Sequence, residues 1–291
     1  MALHTFAEKI FDYLYTFGDN LEVIDDFHVV TKKINKLLEQ KEEDKTNYIY
    51  DLTGNIIFSN VTIYVGNKTI LKNINLIINQ GEKVGIVGEN GSGKSIFAKT
   101  ILGFYKYEGN IYINNHNIKR LNKSNIRKYV ELILGESYMF SGSILENIKL
   151  RNEKSIDIIE EICTECEIKD DIYKFKDKYD TLIGEKGTKL SGGQKQRLSM
   201  ARGIASNKPI LILDEALNKL DNKTRKNILS HLIYKYNNKT MILISNNLEI
   251  IKYVDSIIYI DGLTTVKGSH KELLEKNEDY RNLMYIRENI I

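Results

Sequence analysis

Apolar residues recur at every seventh position from residue 3 to residue 38. Leu3, Ile10, Phe17, Ile24 and Leu38 form one series, with polar Thr31 at the remaining place. Phe6, Tyr13, Phe27 and Ile34 form a second series three positions further on, broken at Asn20. Two such series run side by side on a helix, so the pattern predicts one long helix with a single apolar seam, and Gly18-Asp19 as the place for a bend. The seam has two readings: a helix packed on its own domain, or one that needs a partner. The pattern alone does not choose between them. Lys41-Glu42-Glu43-Asp44-Lys45-Thr46-Asn47 is charged and apolar-poor and predicts a linker.

Beyond the linker the pattern changes. Ile56 to Ile78 is strand-rich, with turns at Gly66-Asn67 and Asn79-Gln80-Gly81. Lys83 to Val87 predicts a buried strand, Ile96 to Leu102 a helix, and Gly109 to Ile118 a hairpin. Helical patterning dominates from Ile144 to Ser206. Ile210-Leu211-Ile212-Leu213 and Met241-Ile242-Leu243-Ile244 are continuous apolar runs, as strands covered on both faces of a parallel sheet require. Asn222 to Tyr236 between them predicts a crossover helix, so the fold class is α/β.

Composition narrows the picture only a little. The 291 residues are 42% hydrophobic and 28% charged, which is ordinary for a globular chain of one large domain plus an appendage. A net charge of +3 gives no argument for nucleic acid as a partner. The two cysteines, Cys163 and Cys166, are too few for a disulfide framework and predict a reducing compartment. Their C-x-x-C spacing has no second cysteine pair or histidine pair beside it, and it falls in a predicted helix over Ile156 to Ile168. We therefore read the thiols as ordinary helix positions, not a zinc site. No run of 18 apolar residues occurs, and Glu8, Lys9 and Asp12 interrupt the N-terminal apolar stretch where a signal peptide would need continuity.

The chemistry gathers in three places. Gly88-Glu89-Asn90-Gly91-Ser92-Gly93-Lys94-Ser95 is a complete G-x-x-x-x-G-K-[ST] phosphate loop between a predicted strand and a predicted helix. Gly88, Asn90, Gly91, Ser92 and Gly93 would turn backbone N–H groups onto a polyphosphate, Lys94 would reach its terminal phosphates, and Ser95 would hold Mg²⁺. Asp214 and Glu215 end the apolar run at Ile210 to Leu213. A carboxylate there can hold the same ion, and its neighbour can polarise a water against the γ-phosphate. The third place is Leu190-Ser191-Gly192-Gly193-Gln194, a small-residue helix start that offers N–H groups and a hydroxyl to a second anion.

That third motif is the LSGGQ signature, and with it the sequence resembles the ATP-binding cassette family over residues 47 to 291. The resemblance implies a P-loop NTPase (RecA-like) core with an antiparallel β subdomain and a helical signature subdomain, the latter at about residues 136 to 205. Residues 1 to 46, the long helix and its linker, would precede it. It implies ATP and Mg²⁺ as cofactors. It also implies a second cassette packed head to tail, so that Ser191, Gly192, Gly193 and Gln194 close over the partner's ATP. Thr181-Leu182-Ile183-Gly184-Glu185-Lys186-Gly187 and Phe140-Ser141-Gly142-Ser143-Ile144-Leu145-Glu146-Asn147-Ile148 are similar to segments of the exporter branch. They imply a membrane-spanning domain as partner and a place on the cytoplasmic side of a membrane. In this light the N-terminal helix looks like the end of a last transmembrane helix.

The departures from the family pattern matter equally. The glutamine that senses metal and attacking water falls on Gly135, and the switch histidine falls on Asn246, which can donate a hydrogen bond but carry no proton. The D-loop reads Asn218-Lys219-Leu220-Asp221. The aromatic that stacks on adenine falls on Val65; Tyr64, one place off, takes that role only if the strand bulges. The expected function is ATP binding and hydrolysis, with Lys94, Glu215 and Asn246 as catalytic groups, coupled to export and slow in turnover. A soluble non-transport ATPase and a nucleotide-gated regulatory subunit remain the alternatives.

Overall fold

The computed structural model describes residues 2–39, 50–136, 138–150 and 153–288, in two compact units, Met1–Lys45 and Thr46–Ile291. The stretch Lys41 to Asn47, expected as a linker, lies outside the described residues. The described residues of the first unit form one helix, α1 (Ala2–Leu38), unbroken at Gly18. At 1.5 Å per residue it is about 55 Å long. Its seam residues Phe6, Tyr13, Phe17 and Phe27 are 63–77% exposed, but Phe11, Tyr15 and Val23, which lie off the seam, are exposed to a similar degree, 61–75%. Apolar side chains thus surround the helix more widely than the two heptad series predict. Among the described residues no helix is long and apolar enough to cross a membrane.

The second unit begins with β1 (Ile56–Val65) and β2 (Lys68–Ile78), joined at the Gly66-Asn67 turn. β3 (Lys83–Gly88) leads through the glycine-rich loop into α2 (Lys94–Ile101), and β4 (Lys106–Ile113) and β5 (His116–Asn117) return as a hairpin. α3 (Lys123–Tyr129) and β6 (Val130–Leu134) precede a helical region of α4 (Ile144–Lys149), α5 (Ile156–Glu165), α6 (Lys169–Lys174) and α7 (Gly192–Ala205). The chain closes with β7 (Ile210–Asp214), α8 (Asn222–Lys235), β8 (Thr240–Ile244), β9 (Ser256–Asp261), β10 (Thr264–Gly268), α9 (His270–Lys276) and α10 (Glu278–Glu288).

Two sheets result. An antiparallel sheet has the order β2-β1-β4-β5, and a larger sheet the order β10-β9-β3-β8-β7-β6, parallel except for β10. Every residue of β3, β7 and β8 is buried, which explains their continuous apolar runs. One core fills the space between the sheets around α2, where Phe58 stacks on Phe97 at 4.7 Å. A second core joins the helical region to the other face of the large sheet through Met139, Ile148, Leu198, Leu213 and Leu243. Cys163 on α5 and Cys166 at its C-cap are both buried in that second core, and burial pushes the Cys163 thiol up to about 12.

The large sheet decides where the chemistry can lie. In such sheets ligands bind outside the carboxyl ends of the strands. The ends of the neighbouring strands β3, β8, β7 and β6 deliver, in that spatial order, the glycine-rich loop, Asn246, Asp214-Glu215 and Gly135.

Candidate functional site

The loop from Gly88 to Ser95 joins β3 to α2 with no side chain capping the helix. Gly93 takes the N-cap place at φ 99°, a left-handed conformation, and a Cβ there would meet Ile70 Cγ2 at 2.8 Å. Only glycine fits, and the first N–H groups of α2 stay available for an anion. Lys94 is 6% exposed, and its ammonium folds back along the loop and donates to the carbonyls of Gly88 at 3.1 Å and Glu89 at 2.6 Å. On its outer edge the stretch Glu89 to Ser92 borders a cavity of about 490 Å³ shared with α10.

A second cavity, of about 450 Å³, opens where β6 and β7 end beside α2. Ser95 Oγ donates to Asp214 Oδ1 at 2.6 Å, and Lys99 Nζ pairs with Asp214 Oδ2 at 2.8 Å. Asp214 itself is 5% exposed. Glu215 also lines the cavity, held in a left-handed conformation at φ 54° while its N–H donates to Ile244 O at 3.0 Å. Asn246 Nδ2 donates to Glu215 Oε1 at 3.2 Å. The structure therefore brings Ser95 at the start of α2, Asp214 and Glu215 at the end of β7, and Asn246 after β8 together.

Gly135 sits in the same cavity, with its N–H donating to Asp214 O at 2.8 Å. A Cβ at this position would lie 2.6 Å from Glu215 O, so the backbone of β6 passes too close to Glu215 for any side chain. Buried Gln196, one turn into α7, donates to Gly135 O at 3.1 Å and accepts from the Lys219 N–H at 3.0 Å. It ties the end of β6 to the D-loop. Lys99 and Gln196 are site residues the sequence reading did not select. Lys99 could have been found, since it follows Ser95 by one helical turn and must share its face. Gln196 carries no sequence signal beyond its place after the signature.

Ser191, Gly192, Gly193 and Gln194 line neither cavity. Ser191 caps α7: Gln194 N donates to Ser191 Oγ at 3.2 Å, and Gln194 Oε1 accepts from Ser191 N at 2.9 Å. This reciprocal box fixes the turn and leaves the two glycines at the helix mouth.

Tyr64, the candidate that needed a bulge, keeps the regular alternation of β1. It pairs with Lys106 without a register shift on the β4 side, and the extra residue on the β2 side falls at Ile70, not in β1. With no bulge in β1 at this point, Tyr64 stays on the face opposite Ile63, and its hydroxyl donates to Glu108 Oε2 at 3.0 Å. Its cavity holds Tyr105, Tyr107 and Lys119 and no residue of the glycine-rich loop. Val65 occupies the alternate face, 41% exposed. This is the position on which the family's base-stacking aromatic falls. Val65→Tyr should tighten ATP binding by about three- to tenfold, since such pairs are worth about 0.5–1.5 kcal/mol, while Tyr64→Phe leaves it unchanged. Calorimetric titration of both variants checks this.

The parallel sheet, the loop on an uncapped helix and the acidic pair beside it define a P-loop nucleoside triphosphatase domain. The ABC transporter model matches residues 71–218, so the chain belongs to the ABC transporter family and carries that family's ATP-binding, ATPase domain. It is 34% identical to the ABC transporter ATM1 of Plasmodium falciparum over 92% of this chain and 29% of that protein. It is 35% identical to the pediocin PA-1 transport/processing ATP-binding protein PedD of Pediococcus acidilactici, over 89% and 37%. With the ATP-dependent lipid A-core flippase of Salmonella typhi the figures are 36%, 84% and 43%. Among solved structures, a bacterial Atm1-family ABC exporter with ATP bound superposes at a TM-score of 0.82 and 29% identity, covering 91% of this chain and 48% of that one. The chain thus spans less than half the length of these relatives.

Proposed function

We propose that this chain is the nucleotide-binding domain of an exporter-type ABC transporter. It binds Mg·ATP, closes head to tail on a second cassette, and drives a membrane-spanning domain from the cytoplasmic side. The observation that carries the reading is the meeting of the Ser95 hydroxyl and the Asp214 carboxylate at 2.6 Å, one residue from Lys94 and one from Glu215. Two hard oxygen donors beside an anion-accepting helix start suit a magnesium ion that keeps most of its other ligands as water and phosphate. Such an ion would neutralise charge on the phosphate oxygens.

The chain's own groups have distinct tasks. Backbone N–H groups of Asn90 to Ser95 cradle the phosphates, and Lys94 exchanges its two carbonyl partners for terminal phosphate oxygens. Glu215 accepts a hydrogen bond from the attacking water and directs it in line. Asn246 donates to Glu215 and can reach a γ-phosphate oxygen, but takes no proton. Ser191 to Gln194 face a nucleotide held by the other cassette. With Gly135 and Asn246 in place of the family's glutamine and histidine, the P-loop side is weakened and the signature side is whole. That imbalance favours a partner cassette of different sequence, which this chain's signature would complete.

Export relatives motivate the membrane partner, and cell fractionation tests it. The polypeptide carrying this sequence should sediment with membranes and resist a high-salt wash. Recovery with ribosomes or DNA would instead favour a soluble non-transport ATPase.

A further inference from the structure

We propose that Lys99 is the resident counter-cation of Asp214, keeping the acidic side of the nucleotide site charge-balanced until a divalent ion arrives. The inference rests on the nucleotide-site reading above. A carboxylate that is 5% exposed needs its charge compensated, because desolvation otherwise costs several kcal/mol. Both oxygens of Asp214 are engaged: Oδ1 accepts from Ser95 Oγ at 2.6 Å, and Oδ2 meets Lys99 Nζ at 2.8 Å. The hydroxyl compensates no charge, whereas the ammonium does. The Lys94 ammonium, for its part, donates to the carbonyls of Gly88 and Glu89.

Lys99 is also placed to yield. Its side chain is 27% exposed and lines the same cavity as Glu215 and Glu136. A flexible stem lets the ammonium swing off Oδ2 into that cavity when a divalent ion takes Asp214. Glu136 and Glu215 would then hold it within the site. Before the ion arrives, an incoming triphosphate meets an Asp214 already neutralised. Without Lys99 the nucleotide's negative charge would face a bare, nearly buried carboxylate, and only a divalent ion could relieve the repulsion. Lys99 is thus a positioning residue whose effect is greatest in the absence of metal.

The test is calorimetric titration of the whole chain with ATP, once in EDTA and once in excess Mg²⁺. Lys99→Met should weaken ATP binding in EDTA by about tenfold or more, a loss of about 1.4 kcal/mol. In Mg²⁺ the change should stay below about threefold, since the ion then supplies the missing charge. The Mg²⁺ concentration needed to restore binding should fall, because a competing cation has gone. Lys99→Arg, which keeps the charge, should behave as the wild type. A merely structural lysine would move both titrations together. Equal weakening in both conditions, or none in either, overturns the proposal. If Lys99→Met melts too low to titrate, Lys99→Gln is measured in its place and must give the same split. A wild-type chain that binds ATP in neither condition overturns the nucleotide-site reading and this inference together. A wild-type chain that binds ATP well only with Mg²⁺ leaves that reading standing and overturns this inference alone.

Discussion

Lys94→Ala should abolish ATP binding or weaken it by about a hundredfold or more, because a hydrogen bond to a charged group contributes about 1.5–3 kcal/mol and the ammonium can make two such bonds. The side chain is already aimed along the loop, 6% exposed and bonded to Gly88 O and Glu89 O, so little ordering remains to be done when phosphate arrives. Removing it also strips partners from two carbonyls of the loop, and loop distortion could imitate lost binding. Lys94→Met, which keeps the buried stem, separates the two. Equal losses in both variants with unchanged melting temperature place the effect on the charge. Undiminished affinity in either would end the assignment of this loop as the ATP site.

What the sequence made legible follows from how local each signal is. The glycine-rich loop, the acidic pair and LSGGQ are contiguous, and the apolar runs of β3, β7 and β8 announce strands covered on both faces. The runs at β6, interrupted by Glu131, and at β9 are less legible, because short runs without a flanking motif do not separate strand from helix. Strand order was also out of reach. That β8 lies between β3 and β7, bringing Asn246 onto Glu215, is a property of the folded sheet. Period-two alternation puts Val65 and Tyr64 on opposite faces of β1, and the extra residue of this pairing lies on the neighbouring strand at Ile70. Contacts between distant residues are less legible: helix spacing puts Lys99 on the face of Ser95 but does not say that it meets Asp214, and nothing local announces Gln196 under Gly135 or the backbone of Glu215 pressed on Gly135.

That last contact reshapes the expectation for turnover. If the site is slow because it lacks the family's glutamine and histidine, restoring both should speed it, yet the two positions are not equivalent. Gly135→Gln must place a Cβ 2.6 Å from Glu215 O, so the backbone carrying Glu215 has to shift. Glu215 is held at φ 54°, where a non-glycine residue has little freedom to adjust. This substitution should lower phosphate release, not raise it. Asn246→His changes a position that already carries a side chain reaching Glu215 Oε1 at 3.2 Å, and the imidazole replaces an amide with a group that can also carry a proton. An amide can only hold Glu215; a histidine can hold it and exchange a proton with the water or the γ-phosphate. Asn246→His alone should therefore raise steady-state phosphate release by the purified chain about tenfold or more, about 1.4 kcal/mol off the barrier. The double variant with Gly135→Gln should fall below that single variant. A wild-type rate equal to or above that of Asn246→His would show that the proton-carrying group at this position does not limit the reaction. A double variant faster than Asn246→His would show that the close approach of Gly135 to Glu215 relaxes at little cost.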